Sequence, residues 1–294
     1  MKHISFLLSI VMLLGCVCLL ASCGPASMIT ADGYEFLMNS DGETYAIKSY
    51  DKSLQNKVLT IPAEVPEKGY AVTEIRQDAF NGNTVLEQVT VSEGITKVAG
   101  FSNCSALKSV SLPASVTETF AFSGCSALES VQLSRGLTKL SGFSYCTALK
   151  TIEIPDTVTE IGNGAFLGCE SLQEIVIPEG VVEIGSAFGG CTSLARVTFP
   201  STVTKIGDAF ENCTSLQEIR LSDGVLTIGK AFRGCESLEK VYIPATVTKI
   251  DNNAFDRCYA LSEVHFGGTM ETWNSFGLYF VKCPVYCSDG TVTN

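Results

Sequence analysis

The chain has 294 residues, of which 46% are hydrophobic and 17% charged, a balance that excludes a disordered tail and leaves room for one or two packed domains. Its formal charge is −11, with no Lys/Arg cluster. Nucleic-acid binding is excluded as an expectation, because phosphate neutralisation needs a basic stripe.

Residues 1–22 read as an export signal, to be set apart from the fold. Lys2 supplies the positive end, and Ile4 to Leu20 is almost wholly apolar. The run is at the short limit for a membrane span. It ends in Leu20-Ala21-Ser22-Cys23, which resembles a bacterial lipobox. That motif implies acylation of the Cys23 thiol, cleavage before it, and a stable membrane anchor through several acyl chains. A chain starting at Cys23 has 19 Lys and Arg against 31 Asp and Glu, a net charge of −12. Residues 23–30 are then expected to be a lipidated tether, reaching roughly 15 Å. Residues 31–53 are expected to cap the fold at its N-terminal end.

From residue 54 to 266 the sequence repeats itself. Nine phenylalanines mark the period: Phe80, Phe101, Phe122, Phe143, Phe166, Phe188, Phe210, Phe232 and Phe255, at intervals of 21, 21, 21, 23, 22, 22, 22 and 23. Three residues after each comes a cysteine, from Cys104 to Cys258, except that Asn83 fills the place in the first copy. Three further on is always leucine, from Leu86 to Leu261. The clearest copy runs through Leu149, Ile152, Ile154, Val158, Ile161, Phe166, Cys169 and Leu172. A period of two in Leu-x-x-Val-x-Ile predicts a first strand, and Val-Thr-x-Ile a second. Pro and Gly follow them as turn residues. Ala-Phe-x-Gly-Cys is expected to form one helical turn. A single coil cannot fold alone. Its six or seven apolar side chains contribute roughly 1.5–3 kcal/mol each, against roughly 1–2 kcal/mol per ordered residue over a coil of about 22. Stacked coils bury one another, so the fold class is a repeat solenoid, strand-dominated and capped at both ends.

The block resembles the BspA-like, Treponema pallidum-type leucine-rich repeats of bacterial surface proteins, over about residues 54–266. Val58-Leu59-Thr60-Ile61-Pro62 with Gly69 to Ile75 resembles that family's longer opening repeat, and Gly267-Gly268-Thr269 with Trp273 its closing segment, within a C-terminal cap at 267–294. Thr119 departs from the pattern, standing where the second strand requires an apolar residue. The resemblance implies a leucine-rich-repeat superhelix. By analogy with members that bind host matrix proteins, it also implies adhesion or protein recognition at the cell envelope.

The residues speak against catalysis. A mature chain keeps one histidine, His265, which removes the usual Ser-His-Asp and Cys-His sets and any multi-histidine zinc site. No phosphate-binding glycine loop or nucleophile elbow is present. No catalytic residue, metal or cofactor is expected. The eight repeat cysteines are read as small buried core residues with free thiols. The state of Cys283 and Cys287 is left open. Trp273 and Tyr279 are weighed as a sugar platform or as a hydrophobic plug, and the plug is preferred.

A partner site is sought on the outward residues of the first strands, expected to form one continuous sheet. Its second half gathers Arg196, Glu218, Arg220, Lys240, Tyr242 and His265. Arg and Tyr are enriched at interface hot spots. A protein partner from the host matrix or the envelope is expected there, with a structural or accessory envelope lipoprotein as the alternative.

Overall fold

In the computed structural model, which describes residues 27–278 and 281–293, the repeats stack as a solenoid with very little helix. Cys23, the signal and Tyr279 lie outside the described residues. The chain enters on β1 (Met28–Ala31), within the stretch expected to be tether. Asp32 and Gly33, both at positive φ, turn it into β2 (Tyr34–Met38). This is the Asp-Gly turn that matches the twist of paired strands. β3 (Tyr45–Tyr50) runs antiparallel to β2 and parallel to the strand Val72–Ile75. The cap thereby joins the repeats' own sheet. Tyr34, Phe36, Tyr45 and Tyr50 are buried in it, and Tyr50 packs on Phe80 at 5.3 Å.

Two of the predicted strands recur per coil, on different sides. The second strands, from Val72–Ile75 to Lys249–Ile250, pair in parallel without a gap and complete a twelve-stranded sheet with the cap. The first strands do not form one continuous sheet. They make a four-stranded piece from Val58–Ile61 to Ser130–Gln132, a pair of Glu174–Val176 with Arg196–Thr198, and a five-stranded piece from Glu218–Arg220 onward. Between the first two pieces, Thr151 to Ile154 forms no strand.

The coils on either side of this break differ in length. From the second strand to the next phenylalanine there are three steps in the 21-residue coils (Leu140 to Phe143) and five in the coil that follows (Ile161 to Phe166). The coil outline changes here. The second strands keep register, Leu140 against Ile161, and the rings of Phe143 and Phe166 stay stacked at 5.6 Å. Two sides of the coil stay continuous here, and only the first strands part.

The nine phenylalanines form one unbroken column of stacked rings, with centroids 4.6–5.9 Å apart and interplanar angles of 2–26°. The segment after each ring is a tight turn, not the expected helical turn. The cysteine N–H bonds the phenylalanine carbonyl of its own coil, as Cys104 does to Phe101 at 3.2 Å. The second residue after each phenylalanine sits at positive φ: Gly82, Asn103, Gly124, Tyr145, Gly168, Gly190, Asn212, Gly234 and Arg257. Glycine and asparagine enter that region most easily, which accounts for seven of the nine choices.

All eight repeat cysteines are free, and seven are fully buried. Each thiol donates to the phenylalanine carbonyl of the preceding coil, at 3.1–3.3 Å. The position thus needs a small apolar body carrying one donor, and cysteine supplies both. Asn83, in the first copy, bonds its own turn instead, accepting from Val85 and Leu86 N–H at 2.9 Å. Burial pushes the thiols of Cys169 and Cys258 up to about 12. Thr119 is fully buried in the apolar row between Val98 and Leu140, and its hydroxyl has no hydrogen-bond partner.

At the C-terminal end, Val285–Cys287 extends the first-strand sheet beside Glu263–Phe266, and Gly290–Val292 closes it antiparallel. A short helix α1 (Met270–Ser275) is capped by the Thr269 hydroxyl. It seats Trp273 against Phe266 and Phe276 at 5.6 and 6.0 Å. Trp273 is only 4% exposed, so it plugs the core and offers no sugar platform. Cys283 and Cys287 are both free, the first buried and the second half-buried.

Candidate recognition surface

Parallel pairing in register places equivalent residues of successive coils side by side, so outward side chains form rows. In the five-stranded piece, Glu218, Lys240 and Glu263 make one row, and Arg220, Tyr242, His265 and Tyr286 the next. The second row is a stack of flat groups. The Arg220 guanidinium lies 3.6 Å from the Tyr242 ring centroid. Tyr242 stacks on His265 at 4.6 Å and 8°, and His265 on Tyr286 at 5.1 Å and 22°. A guanidinium over an aromatic face is attractive, and offset stacking fixes the rings without a buried core.

The charged row holds this stack in place. Arg220 Nε donates to Glu218, and His265 Nε2 lies 2.9 Å from Glu263, which also pairs with Lys240. Bonds from Lys240 and then His265 hold the Glu263 carboxyl below its usual range, and Glu263 in turn raises the Lys240 ammonium. The result is a preorganised strip presenting ring edges, a phenol hydroxyl and a cation to solvent. Beside it lies a shallow hollow of about 450 Å³, walled by Leu221, Asp223, Pro244, Phe266 and Ser288.

Five of the six candidate residues are therefore brought together. Arg196 is not among them. It belongs to the separate two-stranded piece, 78% exposed, and pairs with Glu174 at 2.8 Å. Tyr286 was missed because it lies outside the repeat. Its signal was Val285-Tyr286-Cys287 followed by Asp289-Gly290, a strand and a hairpin turn. A second hollow of about 660 Å³ marks the interruption of the first strands, between Gln132 and Arg135 on one wall and Glu153 and Asp156 on the other. Among the described residues, no group of three His, Cys, Asp or Glu is placed to hold a metal ion, and no helix is long and apolar enough to cross a membrane.

The BspA type leucine rich repeat region matches this chain in six copies, over residues 63–169 and 140–262. The chain belongs to the BspA-type leucine-rich-repeat family. Among solved structures, a leucine rich cell surface protein of Faecalibacterium prausnitzii is 25% identical, covering 87% of this chain and 98% of that one, with a TM-score of 0.34. The Treponema pallidum leucine rich repeat protein is 23% identical, covering 85% and 96%, with a TM-score of 0.45. A Bacteroides ovatus leucine-rich repeat protein is 22% identical, covering 88% and 99%, with a TM-score of 0.37. No curated protein matches.

Proposed function

We propose that this BspA-type repeat protein is a non-enzymatic binding protein of the cell envelope, anchored through Cys23, that recognises a protein partner with the Arg220–Tyr242–His265–Tyr286 strip. The observation that carries this reading is the strip itself. The flexible Arg220 side chain and the three rings stacked with it are ordered in advance, so little entropy remains to be lost on docking. Arg and Tyr at its centre are hot-spot residue types. The family supports recognition as the role, and the similar Faecalibacterium protein, a cell surface protein, supports an exposed location. Adhesion to a host matrix protein is the specific form proposed.

The test has two parts. Protease treatment of intact cells is expected to remove the solenoid while a periplasmic control survives. Immobilised matrix proteins are then expected to retain wild-type protein and to bind the Arg220→Ala/Tyr242→Ala variant at least tenfold more weakly. Protection of the solenoid on intact cells would sink the host-adhesin reading. Equal retention of both proteins would sink the strip.

A further inference from the structure

The larger hollow lies between two rows of backbone groups that face each other and do not bond. On its first wall, Ser130 N–H bonds the Lys108 carbonyl and the Gln132 carbonyl accepts from Leu112 N–H, both toward the preceding coil. Alternate residues of a strand bond opposite neighbours, so Val131 directs its N–H and C=O toward the coil that follows. There Thr151 and Glu153 hold the places of Ser130 and Gln132 and point back. Elsewhere the coils join at the start of the first strand, as Glu129 N–H does to the Lys108 carbonyl at 2.9 Å and Gln173 N–H to that of Lys150 at 3.0 Å. Among the described residues Lys150 N–H makes no such bond, and Thr151 to Ile154 make no backbone bond on either side. Those four residues nevertheless keep the alternate burial of an extended segment.

The hollow bares the edge of the core. Val131 and Ile154, on its two walls, are only partly buried, whereas their counterparts Val110 and Ile177 are 3% and 2% exposed. Its rim carries Arg135 on one wall and Glu153 and Asp156 on the other. Among the described residues none of the three has an ion pair.

We propose that this hollow takes an extended segment of a partner protein, apolar–basic–apolar in sequence, which completes the interrupted sheet as an added strand. Each wall presents N–H and C=O groups in alternation, and an extended backbone carries the matching groups along both of its own sides. The rows then specify its side chains. One inward residue lies between Val131 and Ile152 and another between Leu133 and Ile154, so both are apolar. The outward residue between them stands between Gln132 and Glu153. Two carboxylates against one guanidinium leave the rim net negative, so this residue is lysine or arginine. The site is separate from the Arg220 strip and does not depend on what the strip binds.

Hydrogen exchange of the full chain in detergent, read by mass spectrometry, provides the test, with the peptide acetyl-Ser-Val-Lys-Val-Ser-amide as probe. Without peptide, the amides of Lys150 to Ile154 should exchange unprotected while those of Gln88 to Val91 exchange slowly. Saturating peptide should slow Lys150 to Ile154 and leave Glu218 to Leu221 unchanged. The same peptide N-methylated at both valines should give no protection. Replacing its lysine by glutamate should weaken binding about threefold, the worth of one exposed ion pair. The exposed Glu153→Lys variant should reverse that order. The Arg220→Ala/Tyr242→Ala variant should bind the probe as wild type does. Slow exchange of Lys150 to Ile154 in the free chain would show the gap closed and overturn the proposal. So would equal protection by the N-methylated peptide, an unchanged order in Glu153→Lys, or loss of binding in the strip variant, which would move the peptide to the strip.

Discussion

Replacing Thr119 by valine is expected to stabilise the protein. The position lies in the second-strand row Ile75, Val98, Thr119, Leu140 and Ile161, all turned into the core. Its hydroxyl is fully buried without a partner. An unmatched buried hydroxyl costs about 1–3 kcal/mol, and valine keeps the branched shape that suits a strand. A gain of about 1–2 kcal/mol follows. With a urea slope of about 3 kcal/mol per molar, the midpoint rises by about 0.5 M. Because solenoid stability is a sum over neighbouring coils, the gain should also appear locally, as roughly tenfold slower amide exchange in Glu118 to Phe120, since about 1.4 kcal/mol is a factor of ten. Equilibrium urea unfolding and exchange measured by mass spectrometry provide the assays. An unchanged or lower midpoint, with native circular dichroism, would refute the reasoning and place a partner on the Thr119 hydroxyl.

Other outcomes follow from the same structure. Arg257 holds a positive φ of 61° at the position where most coils use glycine. Arg257→Gly should therefore gain about 1 kcal/mol in urea unfolding, and a loss would contradict the strain argument. The seven buried repeat thiols should resist maleimide in the folded protein and react only on unfolding. Labelling counted by intact mass checks this, and fast modification of Cys191 or Cys213 would be incompatible with the packed column. Glu87 is held at about 2 by Lys108 and Lys57, well below its ordinary value of 4.5. A depressed carboxylate stabilises the fold above its unfolded value and loses that contribution as pH falls. Glu87→Gln should therefore be less stable than wild type at pH 7, with the gap closing between about 4.5 and 2. A pH-independent gap would remove the ion-pair explanation.

The coils were legible because their period is carried by large buried side chains. The spacing of Phe, Cys and Leu predicts the stacked coils, the core and both strands. The state of the cysteines was legible for half of its reason, since a small core residue was expected but its bond to the preceding coil's carbonyl was not. Composition does not reveal a donor's target. The break at Thr151 to Ile154 escaped because its own residues fit the strand pattern. The tight turn after each phenylalanine was misread as helical because φ has no signature there beyond glycine and asparagine. Five of the six candidate site residues were placed correctly in one sheet, since register follows from the period. Arg196 fell outside because the sheet ends before it, and Tyr286 was passed over because it belongs to the cap.

The interruptions also bear on how the molecule would carry load if tethered as proposed. A pull between the proposed N-terminal anchor and a partner on the proposed strip would travel along the coil stack, through whatever joins each coil to the next. At most junctions three columns share that tension. At the breaks between the three first-strand pieces only two do, the second-strand ladder and the ring stack. Under traction the gap opens on one side about an intact hinge line on the other. The molecule then bends at these breaks before any coil unravels.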